Sequence, residues 1–109
     1  MAITVNIYYS GEGNNARKFA EEMIATGTVA AIRAEEGNLR YDYFCPLGNE
    51  STVLLIDSWA SQHAIDLHHQ SPMMTTIMAL REKYDLHMTV ERYVSDDKTP
   101  KADGQYIRK

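Results

Sequence analysis

The chain has 109 residues, with 15 acidic and 11 basic side chains, a formal net charge of −4 and a hydrophobic fraction of 44%. That length supports one domain and one core, burying roughly two thirds of the surface of the unfolded chain. A mildly acidic balance without a basic stripe argues against nucleic acid, the lone Cys45 excludes an internal disulfide, and no run approaches the ~18 apolar residues of a membrane span.

The N-terminal M-A-I-T-V-N lacks a charged region followed by a long apolar run, so no targeting segment and a cytoplasmic location are expected. Ile3 to Tyr9 then alternates Ile3, Val5, Ile7 and Tyr9 against Thr4, Asn6 and Tyr8, which predicts a first strand. Ser10 to Asn14 turns the chain into a helix, where Ala16, Phe19, Ala20, Met23 and Ile24 recur at helical spacing. Gly27 interrupts the pattern, which resumes with Val29, Ala30 and Ile32. A helix broken near Gly27 is predicted, ended by Gly37 in the left-handed conformation. Leu39 to Cys45 reads as a second strand with Leu39, Tyr41, Tyr43 and Cys45 on one face. Cys45, beside Pro46 and without a nearby His, is expected to be a buried, inert thiol.

Gly48 to Ser51 turns the chain into a third strand, Thr52 to Trp59, antiparallel to the second. Its alternation puts Val53, Leu55, Asp57 and Trp59 on one face. Ser61 is placed to cap a helix over Gln62 to Gln70, whose Ala64, Ile65 and His68 share a face. Pro72 opens a further helix, with Met73, Ile77, Leu80 and Tyr84 inward and Arg81, Glu82 and Lys83 toward water. Leu86 to Val94 is the last strand. Residues 1–94 form the domain and 95–109 a polar tail that is expected to be flexible, with Gln105 to Arg108 as the stretch that could form a short docked strand.

The order β-α-β-β-α-(α)-β predicts an α+β, ferredoxin-like antiparallel sheet of order 4-1-3-2 with its helices on one face. In the first and third strands both alternating sets are largely apolar, so the far face needs a second cover. A second copy of the chain, making a homodimer, is the simplest one.

Asp57, Trp59 and His68 converge from a strand and the helix behind it, the one place where chemistry is expected. An acid in line with apolar neighbours needs a partner or a polar pocket. His68 reads either as a general base near neutrality or as a structural His bonded to Asp57 or a backbone carbonyl. Asn6, unusual among apolar neighbours, either holds a substrate oxygen through its amide or pairs locally. Trp59 reads as core or ligand platform, and Tyr41 and Tyr43 as packed rings with a hydroxyl reaching a cavity or the dimer seam. Met73, Met74 and Met78 form core or a pliable wall. The spacing of His63, His68 and His69 is not the i, i+4 of a metal-binding helix, so no metal is expected, with His63 and His69 in solvent.

E-E-G-N-L-R-Y-D at 35–42 and I-D-S-W-A-S-Q-H-A-I-D-L-H-H-Q-S-P at 56–72 resemble the antibiotic-biosynthesis-monooxygenase (ABM) domain family. That family shows acid-x-Gly before a Tyr or Phe on the second strand. It then shows an acid two residues before an aromatic and a His nine after it, followed by Ser/Thr-Pro. Here these are Glu35, Gly37 and Tyr41, then Asp57, Trp59, His68, Ser71 and Pro72. The likeness covers about Ile3 to Val94 and implies a dimeric α+β barrel. It also implies one of several reactions: cofactor-free oxygenation of quinols or polyketides, haem degradation, or isomerisation of a phosphorylated quorum signal.

Asn6 matches the haem-degrading branch, but His68 stands where its Trp would be and Met78 near its His, so haem is not expected. Met73 stands where a second His often follows. The resemblance implies an oxidoreductase, a cofactor-independent monooxygenase of a small quinol or phenolic substrate, with no cofactor and no metal. His68 would be the base, Asn6 the anion-stabilising donor, Asp57 the residue orienting His68, and Trp59, Tyr41 and Met73 the walls. The alternatives are an isomerase of a phosphorylated keto compound, for which Arg40 would bind the anionic group, and a non-catalytic dimeric binding module.

Overall fold

The computed structural model describes all 109 residues. In chain order the elements are β1 (Ile3–Ser10), α1 (Asn15–Ala25), α2 (Thr28–Arg33), β2 (Asn38–Phe44), β3 (Thr52–Trp59), α3 (Gln62–His69), α4 (Met73–Lys83) and β4 (His87–Val94). A 3-10 helix follows at Lys101–Tyr106. The four strands pair antiparallel in the order β2-β3-β1-β4, the expected arrangement read from the opposite edge.

Alternation decides which side chains meet the helices. In β3 the burial pattern is strictly two-fold, with Val53, Leu55, Asp57 and Trp59 buried. Ile3, Ile7 and Tyr9 of β1 join them beneath Phe19, Met23, Val29 and Ile32 of α1 and α2 and Ile77 and Leu80 of α4. Tyr9 and Phe19 meet with ring centroids 4.8 Å apart. Cross-strand register sets Tyr41, Asp57, Val5 and Arg92 in one row across all four strands, with Tyr43, Leu55, Ile7 and Val90 in the next. These two rows floor the site.

The helix break falls at Gly27, whose φ of 80° separates α1 from α2. Three expectations are corrected. A bulge between Asn38 and Arg40 lifts Leu39 off the Tyr41–Tyr43 face and leaves it exposed. Cys45 lies past the end of β2 on the connecting loop and is exposed, because β2 stops at Phe44 before Pro46. The tail forms a 3-10 helix, since Lys101–Tyr106 closes local bonds such as Asp103 N–H to the Pro100 carbonyl (3.0 Å) and has no strand to pair with. β4, an edge strand paired only with β1, is exposed along its whole length.

Candidate active site

His68 is carried inward because α3 starts at a well-set point. The Ser61 hydroxyl accepts the Ala64 N–H at 3.1 Å, which fixes the first turn. Ala64, Ile65 and His68 then face the sheet and are buried. At the other end Ser71 donates its hydroxyl to the His68 carbonyl at 2.7 Å, closing the helix just before Pro72. The ring of His68 stacks on Trp59 with centroids 4.7 Å apart and planes 31° apart, and meets Tyr41 edge-on.

The partner of His68 is Glu35, not Asp57. His68 Nδ1 lies 2.7 Å from Glu35 Oε1, with only 6% and 15% of the two side chains exposed. A carboxylate only accepts, so Nδ1 carries the proton and Nε2 is left as the acceptor. Glu35 reaches the ring because the turn after α2 is pressed onto α3. Gly37, at φ 85°, accepts the Ala60 N–H at 2.8 Å, and a Cβ at Gly37 would lie 2.6 Å from the Ala64 Cβ. The acid-x-Gly motif thus has one physical purpose here: the glycine permits the close approach that lets the acid two residues earlier touch the histidine.

Asp57 is held by Trp59, whose indole Nε1 donates to Asp57 Oδ2 at 3.0 Å. The second oxygen, Oδ1, is buried without a partner. Burial pushes the Asp57 carboxyl above its usual range, opposed by the Trp59 bond and by His68. Burial also raises the Tyr41 and Tyr43 hydroxyls well above an ordinary phenol, so both stay protonated. The Tyr9 hydroxyl accepts from Arg81 Nε and Nη2 at 3.2 and 2.9 Å.

These groups line a cavity of about 330 Å³ between the sheet and α3 and α4. Its apolar walls include Val5, Ile7, Leu55, Ile65, Met74 and Ile77. Its polar groups are Asp57, His68, His69, Gln62, Arg81 and Arg92, with Tyr41 and Trp59 beside them. A mostly apolar cleft with a few convergent polar groups is the usual form of a small-molecule site. Nowhere in the chain do three His, Cys, Asp or Glu side chains converge as a metal site would require.

Of the residues expected at the site, His68, Asp57, Trp59 and Tyr41 line this cavity together. Three do not. Asn6 alternates with Val5 and Ile7, so it lies on the opposite face of the sheet, beside Ile56 and Glu91, with its amide oxygen buried and unpaired. Arg40 also falls on that face, out of phase with Tyr41, where it pairs with Asp42 at 3.0 Å and lies over Phe44. Met73 packs against the core while its neighbour Met74 takes the wall. Arg81, expected in water, is turned inward by Tyr9, and His69, though exposed, forms part of the rim. Glu35, Arg81 and Arg92 are the functional candidates missed from sequence. Only Glu35 carried a signal, its spacing from Gly37.

Residues 2–80 match the family model described as antibiotic biosynthesis monooxygenase. Among curated proteins, the chain is 30% identical over 69 residues to "Putative monooxygenase YcnE" of Bacillus subtilis (strain 168), covering 63% of this chain and 70% of that protein. Among solved structures, it is similar to an antibiotic biosynthesis monooxygenase, so described with the qualifier "putative", from Deinococcus radiodurans. The TM-score is 0.75 at 18% identity, over 92% of this chain and 97% of that one. It is also similar to SnoaB of Streptomyces nogalater, described as a cofactor-independent oxygenase, with a TM-score of 0.74 at 13% identity, over 92% and 98% of the two chains. At these identities the structural likenesses speak for the fold.

Proposed function

The chain belongs to the antibiotic biosynthesis monooxygenase family, and from that premise we propose that it is a cofactor-independent monooxygenase acting on a small quinol or phenol. The observation that carries this reading is the buried Glu35–His68 pair at the wall of an apolar cavity. Glu35 holds the Nδ1 proton and so presents Nε2 as a base, as a carboxylate orients the imidazole in other general-base sites.

The reaction then runs in balanced steps. Nε2 takes the phenolic proton. The phenolate gives one electron to dioxygen, and the resulting radical and superoxide join at a ring carbon as a peroxide. The imidazolium returns its proton to the peroxide anion, and the hydroperoxide then eliminates water, built from its terminal OH and the hydrogen on that carbon, to leave a quinone with one oxygen atom in the product and one in water. An apolar enclosure around the anion strengthens the fixed interactions that guide it. Trp59 and Tyr41 form the walls, and Asp57 keeps the indole in place through its bond to Nε1. The donor role assigned to Asn6 passes to Tyr41, which faces the cavity and stays protonated. The working unit is a homodimer in which a second copy covers the exposed sheet face.

The test is oxygen uptake with a panel of naphthols and dihydroxynaphthalenes, with the product analysed for incorporated oxygen. The expected result is one dioxygen consumed per quinone formed, lost in His68→Gln. Absence of both uptake and oxygenated product across the panel, with a properly folded protein, discards the reading.

A further inference from the structure

Resting on the reading of this cavity as the reaction site, we propose that its substrate carries an oxyanion, a carboxylate or a phosphate, beside an apolar body, and that Arg81 and Arg92 hold that group at the rim. Both residues line the cavity, one from α4 and one from β4, and neither is ion-paired with a carboxylate. Arg81 spends Nε and Nη2 on the neutral Tyr9 hydroxyl, and Arg92 donates Nη2 to the amide oxygen of Gln62. A guanidinium has five N–H donors, so each keeps donors to spare. Two other arginines, Arg33 and Arg40, by contrast both sit on Asp42 at 3.0 Å. In a chain with an excess of acidic residues, two cations at one apolar cleft have been left for something that is not in the chain.

The layout gives the ligand a direction. The only carboxylate lining the cavity is Asp57, which is engaged by Trp59 and stands two strands away from Arg92 in the same cross-strand row. That is about 10 Å at ordinary strand spacing. Gln62, which anchors Arg92, and His68 lie at opposite ends of α3, about 9 Å apart along its axis. A substrate whose anionic group sits on Arg92 therefore extends its apolar ring toward His68, with the length of a one- or two-ring aromatic acid or ester between them, and Arg81 adds a second cation to the same cavity from the Tyr9 end. Bidentate guanidinium contacts to such a group are strong and directional. The two arginines take over the anion-binding role first assigned to Arg40.

The experiment is calorimetric titration of the intact protein with 2-naphthoate, 2-naphthyl phosphate and the uncharged 2-naphthalenemethanol. At least one anion should bind about tenfold or more tightly than the alcohol, and which anion prefers the site separates a carboxylate substrate from a phosphorylated one. In Arg92→Gln that preference should shrink severalfold while alcohol binding holds. Arg81→Gln should act in the same direction. Because Arg81 also anchors Tyr9, the exposed Arg92 variant carries the test if the Arg81 variant fails to fold. Equal affinity for all three probes, no binding of either anion, or an anion preference indifferent to Arg92→Gln overturns the proposal. His68→Gln should leave anion affinity nearly unchanged. Anion binding that depends on Arg92, in a protein with no oxygen uptake, would keep this proposal and remove the oxygenase reading.

Discussion

In a His68→Gln variant the amide still donates to Glu35 but takes up no proton near pH 7. It should fold as the parent does and lose turnover by about 10²- to 10⁴-fold, the usual contribution of a positioned general base. His68→Ala is different, because it strands the Glu35 carboxylate, only 15% exposed, without its partner. A loss of about 1–3 kcal/mol is expected, read as a fall in melting temperature of roughly 4–8 °C per kcal/mol for a domain of this size. If alanine and glutamine variants melt alike, the Glu35 contact has no structural weight. Asp57 gives a test with a pH sign. Its folded pKa is raised, so ionisation favours the unfolded chain, and stability is lost as pH rises from the unfolded carboxyl range through the folded value. Asp57→Asn keeps an acceptor for Trp59 and should melt higher than the parent at pH 7. That advantage should fade as pH falls through the unfolded carboxyl range and vanish below about pH 3, where both states of the parent are protonated. A gain that persists at low pH would mean the charge is not its cause. From the residues alone His68, Asp57, Trp59 and Tyr41 could be gathered, since two short periodicities point them the same way. Glu35 could not be paired with His68, because their contact spans 33 residues and depends on how α2 ends against α3.

Gly27 and Gly37 separate two kinds of glycine requirement within one fold. Both have positive φ, 80° and 85°, but a Cβ at Gly27 meets nothing within 4 Å while one at Gly37 runs into Ala64 of α3. Gly27→Ala should cost about 1–2 kcal/mol, the backbone penalty alone. Gly37→Ala should cost about 1–3 kcal/mol more, the usual toll of overpacking, and should also lower turnover by moving Glu35 away from His68. Denaturant midpoints of the two variants give the comparison, and equal losses would show that the Gly37–Ala64 approach does not matter. The strands, their order and the Gly27 break were legible in sequence because alternation, turn residues and chain connectivity leave few other solutions. The bulge at Leu39 was not, since nothing in N-L-R-Y distinguishes a bulged from a regular strand. Arg81 was misplaced because the apolar stripe of α4 puts it on the solvent side, whereas the Tyr9 hydroxyl below draws it in. Asn6 was misplaced for the opposite reason: the alternation that sends it away from Val5 and Ile7 was there to be used.

The sheet is covered on one side only. On the other, Tyr8, Leu54 and Ile56 are half-buried, and Phe44 of β2 and Tyr93 of β4 are exposed. The radius of gyration, 15.6 Å, exceeds the roughly 13 Å of a compact chain of this length, because the tail after Ser95 is exposed throughout. Sedimentation at micromolar concentration should therefore give about twice the 12.4 kDa of one chain, and a stable monomer would discard the dimer. Truncation after Asp96 should leave the far-UV spectrum nearly unchanged. Precipitation of the truncated protein would show that the tail is needed to cover apolar surface. The tail was the least legible part, since a polar segment without alternation does not announce whether it pairs, coils or extends.

Trp59 is the only tryptophan in the chain, and it stands in the cavity wall against His68 with its N–H on Asp57. Indole emission, excited at the red edge of the aromatic band where the seven tyrosines absorb little, thus comes from the one spot where the proposed chemistry occurs. A ligand seated between the arginines and His68 should shift the same signal in the parent and in the inactive variant alike. Occupancy of the site can then be followed optically before any substrate is in hand.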